Sequence, residues 1–212
     1  MQRFNKVMAK KIFAHTWYIY PIMIALTTLI WMWGFEAFHQ PTAHQSLTIF
    51  FSTSIKNSSF ATKMRKEHYE PENLREIKMP NALPSATGYY SKLKLYMNNS
   101  DILVLDEATM DEFKGYQERF FVDITDEVKT SYFPNQNEYY VYEDENNNTY
   151  TYGALIKKKG ESSYFDDFMT FMDGVDYYAC LSVSSKNLGA ISGERNAKYD
   201  NALTFMNYLL EA

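Results

Sequence analysis

Between Lys11 and Glu36 the chain runs for 24 residues without an Asp, Glu, Lys or Arg, and His15 is the only side chain there that titrates near neutral pH. Wound as a helix at 1.5 Å per residue, that interval is about 36 Å long, more than the ~30 Å of a hydrocarbon layer. Trp17, Tyr18 and Tyr20 near one end, with Trp31 and Trp33 near the other, fit aromatic belts at two interfaces. Pro21 falls early in the span, where a missing helical N–H costs least. Residues 12–38 therefore read as one transmembrane helix. Arg3, Lys6, Lys10 and Lys11 precede it and Glu36 sits at its far end. The positive-inside rule then puts a basic tail, 1–11, in the cytoplasm and everything beyond about residue 40 outside. A cleaved secretory signal is the competing reading. Signal cores are usually about 7–15 residues and end at a small-x-small site, whereas this one is longer and runs into Trp, Phe and His.

Beyond the span come a polar stalk, 39–46, and an extracytoplasmic domain, 47–212, the size of one ordinary domain. Residues 40–212 hold 17 basic against 25 acidic side chains, a charge of −8. Nucleic-acid surfaces want clustered positive charge, so a nucleic-acid partner is disfavoured. With 15 Phe and 18 Tyr in the chain, core-forming bulk is plentiful. Cys180 is the only cysteine. No intrachain disulfide can form, and no cysteine follows the apolar span to carry a lipid, so the helix itself is the expected attachment.

Within the domain, SLTIFFS at 46–52 is short, apolar and bounded by polar residues, as a buried strand should be. A polar loop at 52–59 leads to a charged helix at 60–68 with Phe60, Ala61 and Met64 on one face, then to a half-exposed strand at 74–79. Tyr89 or Tyr90, Leu93 and Met97 recur at helical spacing. ILVL at 102–105, between Asp101 and Asp106, is the clearest buried strand. Thr109 with Glu112 predicts a capping box and a helix starting there. Two strand-like runs, 139–142 and 150–157, flank EDENNNT and predict a hairpin with an acidic tip. A short helix at 164–172, a strand at 176–184, a loop at 185–195 and a helix at 197–210 complete the chain. Strands alternating with helices imply an α/β fold: a three-layer α/β/α sandwich with a mixed, mostly parallel sheet, preceded by the transmembrane helix.

Motifs for chemistry are missing. There is no G-x-S-x-G elbow, Walker loop, G-x-G-x-x-G or S-x-x-K. Asp144, Asn146 and Asn148 alternate as in half a calcium loop, but Thr149 and Leu155 stand where the glycine and the bidentate Glu belong. His15, His39, His44 and His68 form no helical i, i+4 pair, which argues against zinc. Cys180, among Tyr177, Tyr178 and Leu181, reads as core packing. The expectation is a protein that is not an enzyme and has no catalytic residue, metal or cofactor.

That leaves binding. In open α/β sheets ligands sit at the carboxyl ends of the strands, where strand order reverses. Those ends offer Thr53, Ser54 and Asn57 after the first strand, Asp106 and Glu107 after the third, and Ser184, Ser185 and Asn187 after the late one. Hydroxyls, amides and carboxylates of this kind suit a small polar solute.

The succession LTIFFS, SDILVLDEAT, FFVDITDEV, YTYGALIK, DYYACLSVSSKNLG and NALTFMNYLLEA resembles the extracellular solute-binding proteins of ABC importers, of the type II periplasmic-binding-protein class that includes sugar binders. The resemblance spans most of residues 47–212, on short and degenerate motifs. It implies a membrane-anchored, extracytoplasmic solute-binding domain of bacterial origin, or an accessory transport component, with an ABC permease or another membrane protein as partner. Two departures stand out: the family has two lobes where this chain has room for one, and a helix replaces the lipid-bearing cysteine. The alternative is a non-catalytic structural or interaction protein that docks another membrane or surface component.

Overall fold

ILVL at 102–105 is buried on both faces and lies inside the sheet, as its unbroken aliphatic run requires. This computed structural model describes residues 14–57, 59–67, 73–189 and 200–211. In chain order they form α1 (Ile19–His39), β1 (Ser46–Phe51), β2 (Ser54–Ile55), α2 (Ser59–Glu67), β3 (Glu76–Lys78), α3 (Tyr89–Met97) and β4 (Ile102–Asp106). Then come α4 (Glu107–Glu112), α5 (Asp126–Tyr132), β5 (Tyr139–Glu143), β6 (Thr149–Lys157), β7 (Met169–Thr170), β8 (Tyr177–Leu181) and α6 (Asn201–Glu211).

Six strands make one mixed sheet in the order β3-β1-β4-β8-β6-β5, and β2 pairs with β7 apart from it. β1 runs parallel to both β3 and β4, whereas β8 is antiparallel to β4 and to β6, and β5 to β6. Hence β3, β1, β4 and β6 all point one way, and only β8 and β5 oppose them. The fold class is mixed α/β with a sheet whose strands mostly share one direction.

The two-residue period of the strands divides the core in two. Ile49, Phe51, Ile102, Val104, Ala179 and Leu181 pack with Phe60 and Met64 of α2 and with Ala202, Phe205, Met206 and Leu209 of α6. Their neighbours Phe50, Leu103, Leu105 and Cys180 pack instead with Tyr89, Leu93 and Met97 of α3 and Met110 of α4. Each fully buried Leu, Ile or Phe side chain contributes roughly 1.5–3 kcal/mol, so the two apolar sets dominate stability. Gly153 lets β6 approach β8 closely: a Cβ there would lie 3.0 Å from Cys180 Sγ and 3.0 Å from Tyr178 Cβ.

Several expectations hold and several change. The hairpin forms as β5 and β6, and Asp144 Oδ1 accepts from the N–H groups of Asn146 and Asn148 at its exposed tip. The 74–79 strand shrinks to β3. Asp106, not Thr109, begins the next helix: its carboxylate accepts from Thr109 N–H, so Thr109 is the third residue of α4 and no capping box starts there. The helix read at 164–172 is only a 3₁₀ turn, Tyr164–Asp167, after which Met169 and Thr170 are drawn into β7 by pairing with Ile55 and Ser54. Residues 43–45 of the stalk form a 3₁₀ turn, and His44 Nδ1 lies 2.8 Å from the Lys186 carbonyl. His68, the tail 1–11 and much of the 185–195 loop lie outside the described residues.

The chain separates into two compact units, Met1–Gln40 and Pro41–Ala212. In the first, α1 is long and apolar enough to cross a membrane. Its large apolar side chains are exposed, Ile30, Trp31 and Trp33 at 70–75%. Its two threonine hydroxyls are satisfied along the helix, Thr27 to the Met23 carbonyl and Thr28 to the Ile24 carbonyl, each at 2.8 Å.

Candidate functional site

The connections leaving β1 and β4 diverge. From β1 the chain turns toward β3 on one side; from β4 it passes through α4 and α5 to the β5–β6 hairpin on the other. The point of divergence is the place where open α/β sheets collect ligands. Here it is closed by a polar cluster. Ser52 N–H donates to the Val104 carbonyl at 2.8 Å, locking the strand ends together. Asp106, only 1% exposed, accepts from Ser52 Oγ (2.9 Å), Thr109 N–H (2.9 Å) and Thr109 Oγ1 (2.7 Å). The Tyr89 hydroxyl adds contacts to Ser52 Oγ at 2.8 Å and Thr109 Oγ1 at 3.1 Å. Burial raises the Tyr89 phenol to about 12, against the lowering effect of the Ser52 and Thr109 hydrogen bonds. This cluster fixes α3 and α4 to the strand ends and offers no group to solvent.

The other residues read from sequence at this end have local tasks. Thr53 is buried, its Oγ1 without a hydrogen-bond partner among the described residues, while its carbonyl accepts from Asn81 Nδ2 at 3.2 Å. Ser54 pairs with Thr170. Asn57 Oδ1 accepts from Ser59 N–H at 2.9 Å and turns the chain into α2. Glu107 opens α4, its N–H bonded to the Asp176 carbonyl at 2.9 Å.

Ser184, Ser185 and Asn187 do not join them. β8 runs against β4, with Leu181 opposite Ile102 and Tyr177 opposite Asp106. The loop after β8 therefore emerges at the amino ends of β1 and β4, about 13 Å of strand away from the other five residues. There Asp101, 7% exposed, accepts from Ser185 Oγ (2.6 Å), Asn187 Nδ2 (2.9 Å) and Thr48 N–H (2.8 Å). Asn187 Nδ2 also reaches the Ser46 carbonyl at 3.1 Å. Ser184 is exposed, its N–H on Ser182 Oγ. The expected grouping thus splits between two ends of the sheet because one strand is antiparallel.

The carboxyl end does carry an open cleft, beside the polar cluster. β6 ends at Lys157, opposite Tyr177, which itself sits opposite Asp106. A cleft of about 580 Å³ opens there, lined among others by Lys56, Lys157, Lys159, Asp166, Phe171 and Val175. A second hollow of about 410 Å³ shares Lys157 and adds Glu138, Lys158 and Tyr164. Both volumes suit a small ligand. Lys157, with its side chain 12% exposed, bonds Asp166 Oδ2 at 2.8 Å and also donates to the Glu161 carbonyl. Lys56 Nζ donates to the Asp166 carbonyl at 2.9 Å, and pairing of β2 with β7 holds its backbone in place. Phe171 packs edge-on to Tyr177 at 4.8 Å and lies 5.9 Å beneath the Lys157 ammonium. Burial pushes the Asp166 carboxyl up, but hydrogen bonds from Lys157 and Ser163 N–H and the charges of Lys157 and Lys56 together bring it below its usual value. Among the described residues no group of three or more His, Cys, Asp or Glu side chains is placed to hold a metal.

None of the cleft residues carries a signal in the amino-acid sequence. Lys157 closes an expected strand there, and Asp166 falls within an expected helix. Only the pairing of two-residue strands, invisible to periodicity, brings Lys56 to them. Compared with known proteins, the chain matches no family model, no curated protein and no solved structure.

Proposed function

We propose that this chain is a membrane-anchored extracytoplasmic binding domain, of solute-binding-protein ancestry, that takes a small polar solute or serves as an accessory component of a bacterial importer. One observation carries the reading: an open cleft of ligand size at the carboxyl end of the sheet, next to the point where the β1 and β4 connections part. The two apolar clusters, one with α2 and α6 and the other with α3 and α4, support a three-layer α/β/α sandwich. α1 would span the bilayer, with the basic residues ahead of it in the cytoplasm and the second unit outside.

A thermal-shift screen of the purified full chain in detergent tests this, using sugars, amino acids and small polar solutes. A ligand that binds only the native state raises Tm by mass action, with roughly 2.7 kcal/mol of stabilisation at a hundredfold excess over Kd. A saturable rise with any of them is the expected result. If no solute shifts Tm while a membrane protein copurifies with the chain, the docking reading replaces this one.

A further inference from the structure

The side chains lining the 580 Å³ cleft include three cations and three anions: Lys56, Lys157 and Lys159 against Glu161, Asp166 and Asp173. One pair neutralises itself, since Lys157 and Asp166 form an ion pair at 2.8 Å. The remaining four are not matched to each other. Among the described residues Lys56 hydrogen-bonds only the Asp166 carbonyl, so two of its three N–H donors stay available, while its charge also acts on the Asp166 carboxylate. The side chains of Lys159, Glu161 and Asp173 are exposed and enter no ion pair among the described residues. Their backbone is set: Lys159 N–H is held by Asp176 Oδ1 at 2.6 Å, and Gly160, at φ +75°, closes the tight turn from Lys158 to Glu161. The rest of the wall is apolar, with Met169, Phe171, Met172 and Val175.

Lys158 acts on Glu161 through its charge alone, so charges of both signs remain outside any ion pair around an apolar wall, and they match a ligand that carries both signs and an apolar body. Resting on the binding-domain reading above, we infer that the cleft takes a small zwitterion, an amino acid or dipeptide with an apolar side chain. Its carboxylate meets Lys56 and Lys159, its ammonium meets Glu161 and Asp173, and its side chain lies on Phe171 and Val175. A neutral sugar would leave these four charges unused.

Titration calorimetry on the full chain in detergent tests the assignment. The probes are L-leucine, leucyl-leucine, 4-methylpentanoate (no ammonium), 3-methylbutylamine (no carboxylate) and glucose. The expected order is leucine or leucyl-leucine first, with each singly charged analogue weaker by about fivefold, the scale of one partly exposed ion pair. Lys159→Gln weakens the zwitterion and the carboxylate but leaves the amine unchanged; Glu161→Gln does the reverse. Both positions are exposed, and circular dichroism checks that each variant is folded. If glucose binds and the zwitterions do not, or if the analogues match leucine, the zwitterion assignment falls while the binding-domain reading stands. If no probe and no solute from the wider screen binds, both fall.

Discussion

Two acids at opposite ends of the sheet respond to their surroundings with opposite sign. At Asp101 burial is the largest influence and raises the carboxyl above its usual value, despite donors from Ser185, Thr48, Asn187 and Lys186. Its proton is held more tightly in the native chain, so its contribution favours folding in acid and is lost as pH rises through the raised value. Asp166 does the opposite. Its carboxyl is depressed, so its contribution is present above the ordinary value and lost as pH falls through the depressed one. Replacing Lys157 with Met should move the Asp166 titration midpoint upward in carboxyl-carbon NMR; an unchanged midpoint would deny the ion pair. Asn187→Ala should cost about 1–3 kcal/mol in urea denaturation, because it removes a donor from a buried carboxylate and leaves the Ser46 carbonyl short of one. A loss below about 0.5 kcal/mol would show that Ser185, Thr48 and Lys186 suffice.

Among the elements, β8 has the most influence on where everything else falls. It is flanked by β4 and β6, and Cys180 within it is wholly buried, its thiol pushed well above the usual range by that burial. Such a thiol should resist iodoacetamide in the native chain and become reactive only with the global transition in denaturant. Labelling at the rate of an exposed cysteine would remove β8 from the sheet interior. β8 also shows what the amino-acid sequence can reveal. Continuous apolar runs make β1, β4 and β8 legible, and paired runs around EDENNNT make the hairpin legible, because burial on both faces leaves a local signature. Direction leaves none. An antiparallel strand in a βα series reads like a parallel one, and for that reason the sequence points Ser185 and Asn187 to the wrong end. The cleft is illegible for a related reason. Lys56, Lys157 and Asp166 meet through β2–β7, two residues per strand, where the pairing is set by the surrounding fold and not by any periodic pattern.

At the scale of the whole molecule, the two units obey different solvation rules. The second unit buries much of its aromatic bulk: Phe50, Phe51, Phe60, Phe121, Phe133 and Phe165 are at most 1% exposed, although Tyr90 and Tyr116 stand 60% and 57% exposed. α1 and the residues just ahead of it do the reverse, presenting Trp17, Trp31, Trp33, Phe35 and Phe38 at 53–87% exposure. An apolar surface of that extent is unfavourable in water, at about 25 cal/mol for each Å², and a bilayer removes the penalty. Glu36 near the end of the helix and the four cations ahead of its start should then bias insertion, leaving the acidic second unit across the membrane from the basic tail. Two measurements separate this arrangement from its rivals. The full chain should stay in the membrane pellet after alkaline carbonate washing and enter solution only with detergent. Protease added to intact cells should degrade residues 41–212, and reversing Arg3, Lys6, Lys10 and Lys11 to Glu should reduce that degradation by weakening the orientation signal. Release by carbonate would mean that α1 does not span the bilayer, and a mature chain beginning beyond residue 38 would mean that the helix is a cleaved signal. An intact second unit on unpermeabilised cells would place the lysine-lined cleft in the cytoplasm, where a role in capturing external solute has no access to its ligand.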